Sequence, residues 1–182
     1  MPAYVYLVLA AGSMLWCAPF FIAHAKRSDP PQLDRRARWG IGLVCVSYSL
    51  LWQGSFWTRS PEWWRVTVSI CLFVLACLLS WTSARALGGQ LRLDAAVSDN
   101  HELIRRGPYQ LVRHPIYTSM LCLLLATGLL ISPWYLILLS VLTFLAGTEV
   151  RMRIEDKLLA LRFGEQFKEY ARSVPRLIPF LK

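Results

Sequence analysis

The chain has 182 residues, is 55% hydrophobic and only 17% charged, and carries eight tryptophans and a formal net charge of +9. So little polar surface cannot cover a water-soluble domain of this length, which excludes that class and points to an integral membrane protein. The charge is not a nucleic-acid face: eighteen of the twenty basic residues fall in residues 24–38, 85–114 and 148–182, between apolar runs, where they set topology and attract lipid headgroups.

From Ala3 to Ala23 the chain is almost wholly apolar, enough at 1.5 Å per residue to cross a bilayer of roughly 30 Å. Ala23-His24-Ala25 imitates a signal-peptide cleavage site. However, no positive residue precedes the run and Lys26 and Arg27 follow it, the reverse of a signal peptide's charge order, so a retained first span with its N-terminus outside is expected. Residues 26–38 hold five basic and two acidic side chains around Pro30-Pro31, a turn with a cytoplasmic charge balance. A second span is expected from Trp39 to Trp57 and, after a link from Thr58 to Glu62, a third from Trp63 to Leu87. Trp39, Trp57, Trp63 and Trp64 stand near span ends, where aromatic rings favour the interface, and Arg65, the exception to the charge bias, can snorkel at a span end.

Gly88-Gly89 closes the third span and a long polar segment follows over residues 90–115. Ile116–Ile131 and Trp134–Thr148, parted by Ser132-Pro133, predict a tight helical hairpin over 116–148 whose arms, about 22 to 24 Å each, are short for a span. From Glu149 to Arg172 charged residues mix with Val150, Ile154, Leu158, Leu161, Phe167 and Tyr170. That spacing predicts a separate tail helix over 149–172, apolar on one side, lying on the cytoplasmic surface until Pro175 and Pro179 stop it. The expected fold class is all-α: a polytopic membrane protein of five transmembrane helices, with a cytoplasmic polar segment and a C-terminal amphipathic helix. It forms one membrane-embedded domain over 1–182, with three N-terminal spans in 1–87 and the polar chemistry in 88–182. Five spans place all three basic segments, and the C-terminus, on the cytoplasmic side. The cysteines Cys17, Cys45, Cys71, Cys77 and Cys122 stand singly in apolar runs and read as small core hydrophobes; with three scattered histidines, no metal site is expected.

Chemistry concentrates in Gly107-Pro-Tyr-Gln-Leu-Val-Arg-His-Pro-Ile-Tyr117. Pro115 suits the first position of a helix and pushes His114 toward an extended conformation. The amides of Ile116, Tyr117 and Thr118 would then form a positive helix end able to accept an anion such as a carboxylate, although Arg113 and His114 also read as plain interfacial anchors. Arg151 and Glu155, four apart, share a helix face. Either they form an ordinary intrahelical pair worth about 0.3 to 0.5 kcal/mol, or they face the Gly107–Tyr117 stretch and offer one cation and one anion to a ligand bearing both charges.

Gly107-Pro108-Tyr109, Arg113-His114-Pro115-Ile116-Tyr117, Arg151, Glu155-Asp156, Phe163-Gly164-Glu165-Gln166-Phe167, Tyr170 and Val174-Pro175-Arg176-Leu177-Ile178-Pro179 together resemble the C-terminal half of the isoprenylcysteine carboxyl methyltransferase family, over about residues 88–181. The resemblance implies a membrane-embedded methyltransferase that uses S-adenosylmethionine, releases S-adenosylhomocysteine, and methylates a carboxylate on a lipophilic small molecule or lipid-modified acceptor within the membrane lipids. Carried over residue by residue, the cofactor contacts fall on His101, Glu102, Leu103, Ile104, Tyr109, His114, Pro115, Ile116, Tyr117 and Glu155. The arginine near the accepting carboxylate is Arg151. Where eukaryotic members have a glutamine contact, the count back from Tyr109 lands on Asp94, a departure from the family's pattern. No nucleic acid and no metal is implied, and the active site is expected on the cytoplasmic side. A phospholipid N-methyltransferase, a sterol-type reductase using NADPH with a similar Arg-His-Pro-x-Tyr, and a membrane scaffold without catalysis are the alternatives.

Overall fold

The computed structural model describes residues 1–24, 37–53, 60–90 and 102–179. The described residues are helical with no strand among them: α1 (Ala3–His24), α2 (Ala37–Leu50), α3 (Trp63–Leu87), α4 (Pro115–Ile131), α5 (Trp134–Phe163) and α6 (Glu165–Ser173), with two short 3-10 helices at Gly88–Gln90 and Gly107–Gln110. Three of them, α1, α3 and α5, are long and apolar enough to cross a membrane, while α4 is a shorter apolar helix of 17 residues. Residues 54–59, with the expected end of the second span at Trp57, the basic turn around Pro30-Pro31, Asp94 and His101 lie outside the described residues.

Helix α4 lies between α3 and α5; α1 packs on α3 and also touches α4, and α2 packs on α5. The interior is filled by Val5, Leu9, Leu51, Phe73, Leu124, Leu130, Ile131 and Phe144. Leu7, Phe21, Val74, Leu78, Leu138 and Leu142 point outward, so the surface is apolar where a water-soluble protein would be polar. Without water as a competitor, side-chain hydrogen bonds join helices directly. Trp16 Nε1 donates to Ser119 Oγ (3.0 Å), Ser80 Oγ to the Trp16 carbonyl (2.9 Å), Ser69 Oγ to the Ala126 carbonyl (2.9 Å) and Tyr48 OH to the Met120 carbonyl (2.7 Å). Small residues allow the closest approach. At the α2–α5 crossing a Cβ on Gly40 would stand 2.5 Å from Arg151 Cγ and 2.7 Å from the Gly147 carbonyl oxygen, and one on Gly147 would stand 2.8 Å from Leu43 Cβ.

Several boundaries and environments differ from the expectation. Helix α2 ends at Leu50: Leu51, Trp52 and Gln53 tighten into a turn on i to i−3 hydrogen bonds, with Leu51 buried and Trp52 and Gln53 exposed, and the Leu51 carbonyl accepts from Ser132 Oγ at 2.5 Å. Helix α5 does not stop at Thr148. It continues unbroken for 30 residues to Phe163, since no glycine or proline interrupts 148–163 and charged side chains do not themselves end a helix. The break falls instead at Gly164, which adopts φ 53°, and only Glu165–Ser173 forms a separate helix, with Phe167 and Tyr170 buried. Arg65 is half-buried, and its guanidinium donates to the Ser132 carbonyl at the α4–α5 turn (2.7 Å). Cys122 is buried and Cys17 and Cys77 partly so, whereas Cys45 and Cys71 lie on the outer surface rather than in the core.

Candidate active site

Three segments meet at one end of the bundle: the Gly107–Tyr117 stretch, the polar half of α5, and a C-terminal strap at Val174–Leu177. The strap is fixed by backbone bonds, Arg113 N to the Pro175 carbonyl (2.8 Å) and His114 N to the Arg176 carbonyl (3.0 Å), and by Thr118 Oγ1 donating to the Leu177 carbonyl (2.6 Å). Pro175 has no amide hydrogen to donate, and its carbonyl serves as the acceptor for Arg113 N. On its other side, Tyr170 OH of α6 donates to the Tyr109 carbonyl at 2.6 Å, and the Arg113 guanidinium stands 5.9 Å above the Phe167 ring.

His114 precedes Pro115 at φ −124°, ψ 61° and caps the start of α4 without a side-chain bond to it. The amide of Thr118 donates to the His114 carbonyl, so the exposed helix end consists of the Ile116 and Tyr117 amides and not of three. The buried imidazole points at α5 instead. Its Nε2 is 3.0 Å from Asp156 Oδ1 and its Nδ1 3.4 Å from Glu155 Oε2. Burial opposes a charge on this ring, but the hydrogen bonds to Asp156 and then Glu155 outweigh it and the His114 pKa is raised.

Arg151 is buried on α5. Its stem lies over Gly40, its Nε donates to Tyr117 OH at 2.6 Å, and its guanidinium stands 5.7 Å from the Tyr117 ring. The same hydroxyl donates to Glu155 Oε1, while the direct contact from Arg151 Nη2 to Glu155 Oε1 is 3.6 Å. Of the two readings of this pair, both therefore hold in part: the i,i+4 contact exists but is long, and both groups are fastened to the Gly107–Tyr117 stretch through one tyrosine. The Glu155 side chain is 23% exposed, the one carboxylate of the inner cluster that reaches outward.

The structure thus brings His114, Pro115, Ile116, Tyr117, Arg151 and Glu155 together. Tyr109 is buried one layer away under α6, and burial pushes its phenol well above the ordinary range; that of Tyr170 is pushed up to about 12. Glu102 is exposed and Leu103 and Ile104 half-buried in the irregular segment before Arg105, whose guanidinium donates to the Gln166 carbonyl of α6. Two residues to which sequence reasoning gives no role prove central. Asp156 accepts from Arg113 Nη1 (2.8 Å), Arg176 Nε (3.1 Å) and the His114 ring, and Arg176 Nη1 also reaches Glu149 Oε1 (3.0 Å). The available signal is the adjacency of Glu155 and Asp156, which sends two carboxylates from one helix about 100° apart, one toward each nitrogen of a single ring. Among the described residues no group of three or more histidine, cysteine or carboxylate side chains is arranged so that it could hold a metal ion.

The arrangement fits a ligand with mixed charge: an outward carboxylate, a buried arginine beside it, and two helix-end amides with no side-chain cap. The sequence model of the phospholipid methyltransferase family matches residues 64–166. Protein-S-isoprenylcysteine O-methyltransferase B of Arabidopsis thaliana is 28% identical over 123 residues, 66% of this chain and 62% of its own length. A probable protein-S-isoprenylcysteine O-methyltransferase of Oryza sativa subsp. indica is 30% identical over 148 residues, 77% of this chain and 76% of its own. The cobalt-zinc-cadmium resistance protein CzcN of Cupriavidus metallidurans is 33% identical over 145 residues, 79% of this chain and 62% of its own. The match therefore spans about three fifths of the Arabidopsis and Cupriavidus relatives.

Proposed function

The chain belongs to the phospholipid methyltransferase family, together with the protein-S-isoprenylcysteine O-methyltransferases, and from that premise we propose that it is an integral membrane methyltransferase acting from S-adenosylmethionine on a carboxylate of a lipophilic acceptor. The observation that carries this reading is the sharing of the Tyr117 hydroxyl between Arg151 and Glu155, which holds a cation and an anion side by side at the start of α4.

Bound S-adenosylmethionine supplies a methyl group on a sulfonium, open to in-line displacement. Glu155, with His114, Pro115, Ile116 and Tyr117, would hold it; Tyr109 and Glu102–Ile104 would line the side toward α6, and His101 lies outside the described residues. Glu155 is placed to accept from hydroxyl or amino groups, and the Ile116 and Tyr117 amides to donate to a carboxylate. Arg151 would orient the acceptor, since a guanidinium grips a carboxylate in a fixed plane and its own position is set by Tyr117 and Gly40. An acceptor carboxylate is ionised at neutral pH, so no general base is needed and the residues' work is placement and exclusion of water.

The proposed topology has five spans, α1 to α5, in a single membrane-embedded unit. The N-terminus lies outside, and the polar segment, the strap and α6 lie on the cytoplasmic side, where a polar donor arrives while the acceptor, a small lipophilic acid or a lipid-modified molecule, comes through the bilayer. The name of the matching family also favours a second reading, N-methylation of an aminolipid; such an amine must first lose a proton, so activity on aminolipids with an alkaline maximum would select it.

The test is calorimetric titration of the detergent-purified protein with S-adenosylhomocysteine, beside NADPH, for wild type and Glu155→Ala. Binding of S-adenosylhomocysteine that the substitution weakens at least about tenfold is expected, as for loss of a charged hydrogen bond. Binding of NADPH alone would replace the reading with a reductase, and binding of neither by folded protein would leave a scaffold.

A further inference from the structure

Two adjacent carboxylates on α5 grip the two nitrogens of one buried ring: Asp156 Oδ1 at 3.0 Å from Nε2 and Glu155 Oε2 at 3.4 Å from Nδ1 of His114. A neutral imidazole has one N–H and one lone pair, so it can satisfy only one of them and turns its lone pair on the other. The pair is satisfied only by the imidazolium, which donates from both nitrogens. The two carboxylates are not equivalent. Glu155 is partly exposed and shared with Tyr117, whereas Asp156 is buried and held on its far oxygen by Arg113 and Arg176. Asp156 is thus the fixed end of the chain of contacts and Glu155 the adjustable one.

We propose that Asp156 is a positioning residue for the methyl transfer inferred above: clasped by Arg113 and the strap's Arg176, it locks His114 with its second nitrogen on Glu155, and so aims Glu155 and, through Tyr117, Arg151. Asp156 itself touches neither donor nor acceptor. The strap's side chain joins the site by this route: the Arg176 guanidinium meets Asp156, while its carbonyl accepts from the His114 amide. The raised pKa of His114 accords with the geometry. The charged and titratable groups facing the ring are Arg113 beside it, Tyr117 on α4, Arg151, Glu155 and Asp156 on α5 and Arg176 on the strap, with Tyr170 on α6 next beyond, against Arg113 and Asp156.

The inference rests on the proposed function for its catalytic half but not for its ring, and the experiment separates them. The full chain contains three histidines, so a sample labelled with 15N-histidine gives few imidazole signals, and His114→Gln assigns the one in question. In wild type both nitrogens of His114 are expected to stay protonated above the ordinary imidazole range, and Asp156→Asn to lower that titration midpoint by at least about one pH unit, as loss of an adjacent opposite charge does. The same variant should weaken S-adenosylhomocysteine binding about tenfold, and Asp156→Glu should restore part of both. Arg176→Gln, at a half-exposed strap position, removes a cation, so the His114 midpoint should rise rather than fall while binding weakens by less than about tenfold, and it carries the test if Asp156→Asn does not fold. An unchanged His114 titration in Asp156→Asn, or unaltered binding in Arg176→Gln where only that folds, overturns the proposal, and so does an altered titration with unaltered binding in Asp156→Asn. If wild type binds no S-adenosylhomocysteine, the function proposed above falls, and with it the catalytic half of this one, while the ring titration still decides whether Asp156 governs His114.

Discussion

Replacing Gly40 by alanine adds one methyl group on α2, and the structure says where it lands: 2.5 Å from Arg151 Cγ and 2.7 Å from the Gly147 carbonyl oxygen. Neither neighbour can give way cheaply, since one is a helix backbone and the other the root of a buried side chain rather than its tip. Relief requires α2 and α5 to part by several tenths of an ångström or Arg151 to leave its rotamer, and overpacking of this kind costs about 1 to 3 kcal/mol. A guanidinium displaced by about 1 Å can lower a rate about a hundredfold when its task is orientation. Gly42, two residues on and on the outward face, is the control: nothing lies within 4 Å of a Cβ there, so alanine should be neutral or stabilising by up to about 1 kcal/mol through helix propensity. Thermal unfolding in detergent followed by circular dichroism, with methyl transfer measured on the same preparations, separates the two. Equal stability and equal activity of Gly40→Ala and Gly42→Ala would refute both the close crossing and the seating of Arg151 on it.

Tyr117→Phe removes the hydroxyl that accepts from Arg151 and donates to Glu155, leaving two groups 3.6 Å apart without their bridge; at about 1.5 to 3 kcal/mol for bonds to charged groups, a loss of roughly ten- to a hundredfold in S-adenosylhomocysteine affinity is expected in calorimetric titration. His114 gives a pH dependence of definite sign. Its folded pKa is raised, so the native state binds more protons than the unfolded one; the stabilisation is full below the ordinary imidazole value near 6.5 and is lost as pH climbs through the folded value. The melting temperature of wild type should therefore fall across that window relative to His114→Gln, and parallel curves would contradict the arrangement.

How far the sequence reveals this molecule depends on the kind of signal. α1, α3 and α4 were legible because apolar runs end at polar, glycine or proline punctuation, and the expected Trp63–Leu87 coincides with α3. The far end of α5 was not, because a change from apolar to charged residues reports a change of surroundings, not of backbone; the real punctuation, Gly164, lies fifteen residues past Glu149. Within the candidate site, His114, Tyr117, Arg151 and Glu155 were recognisable from their motif, and the structure joins them. Asp156 was hidden because its importance lies in three partners from two distant segments, and no spacing along one helix encodes them. Gly40 and Gly147 were hidden for a similar reason: a glycine in a span is ordinary until the helix facing it is known.

Because α5 runs without interruption from Trp134 to Phe163, its exposed tryptophan at one end and its buried Arg151 are points on a single rod, about 26 Å apart along the axis. The depth at which that indole settles and the height at which the guanidinium waits are then one variable, not two. In the topology proposed above, a thicker or thinner bilayer that tilts the rod would shift both together.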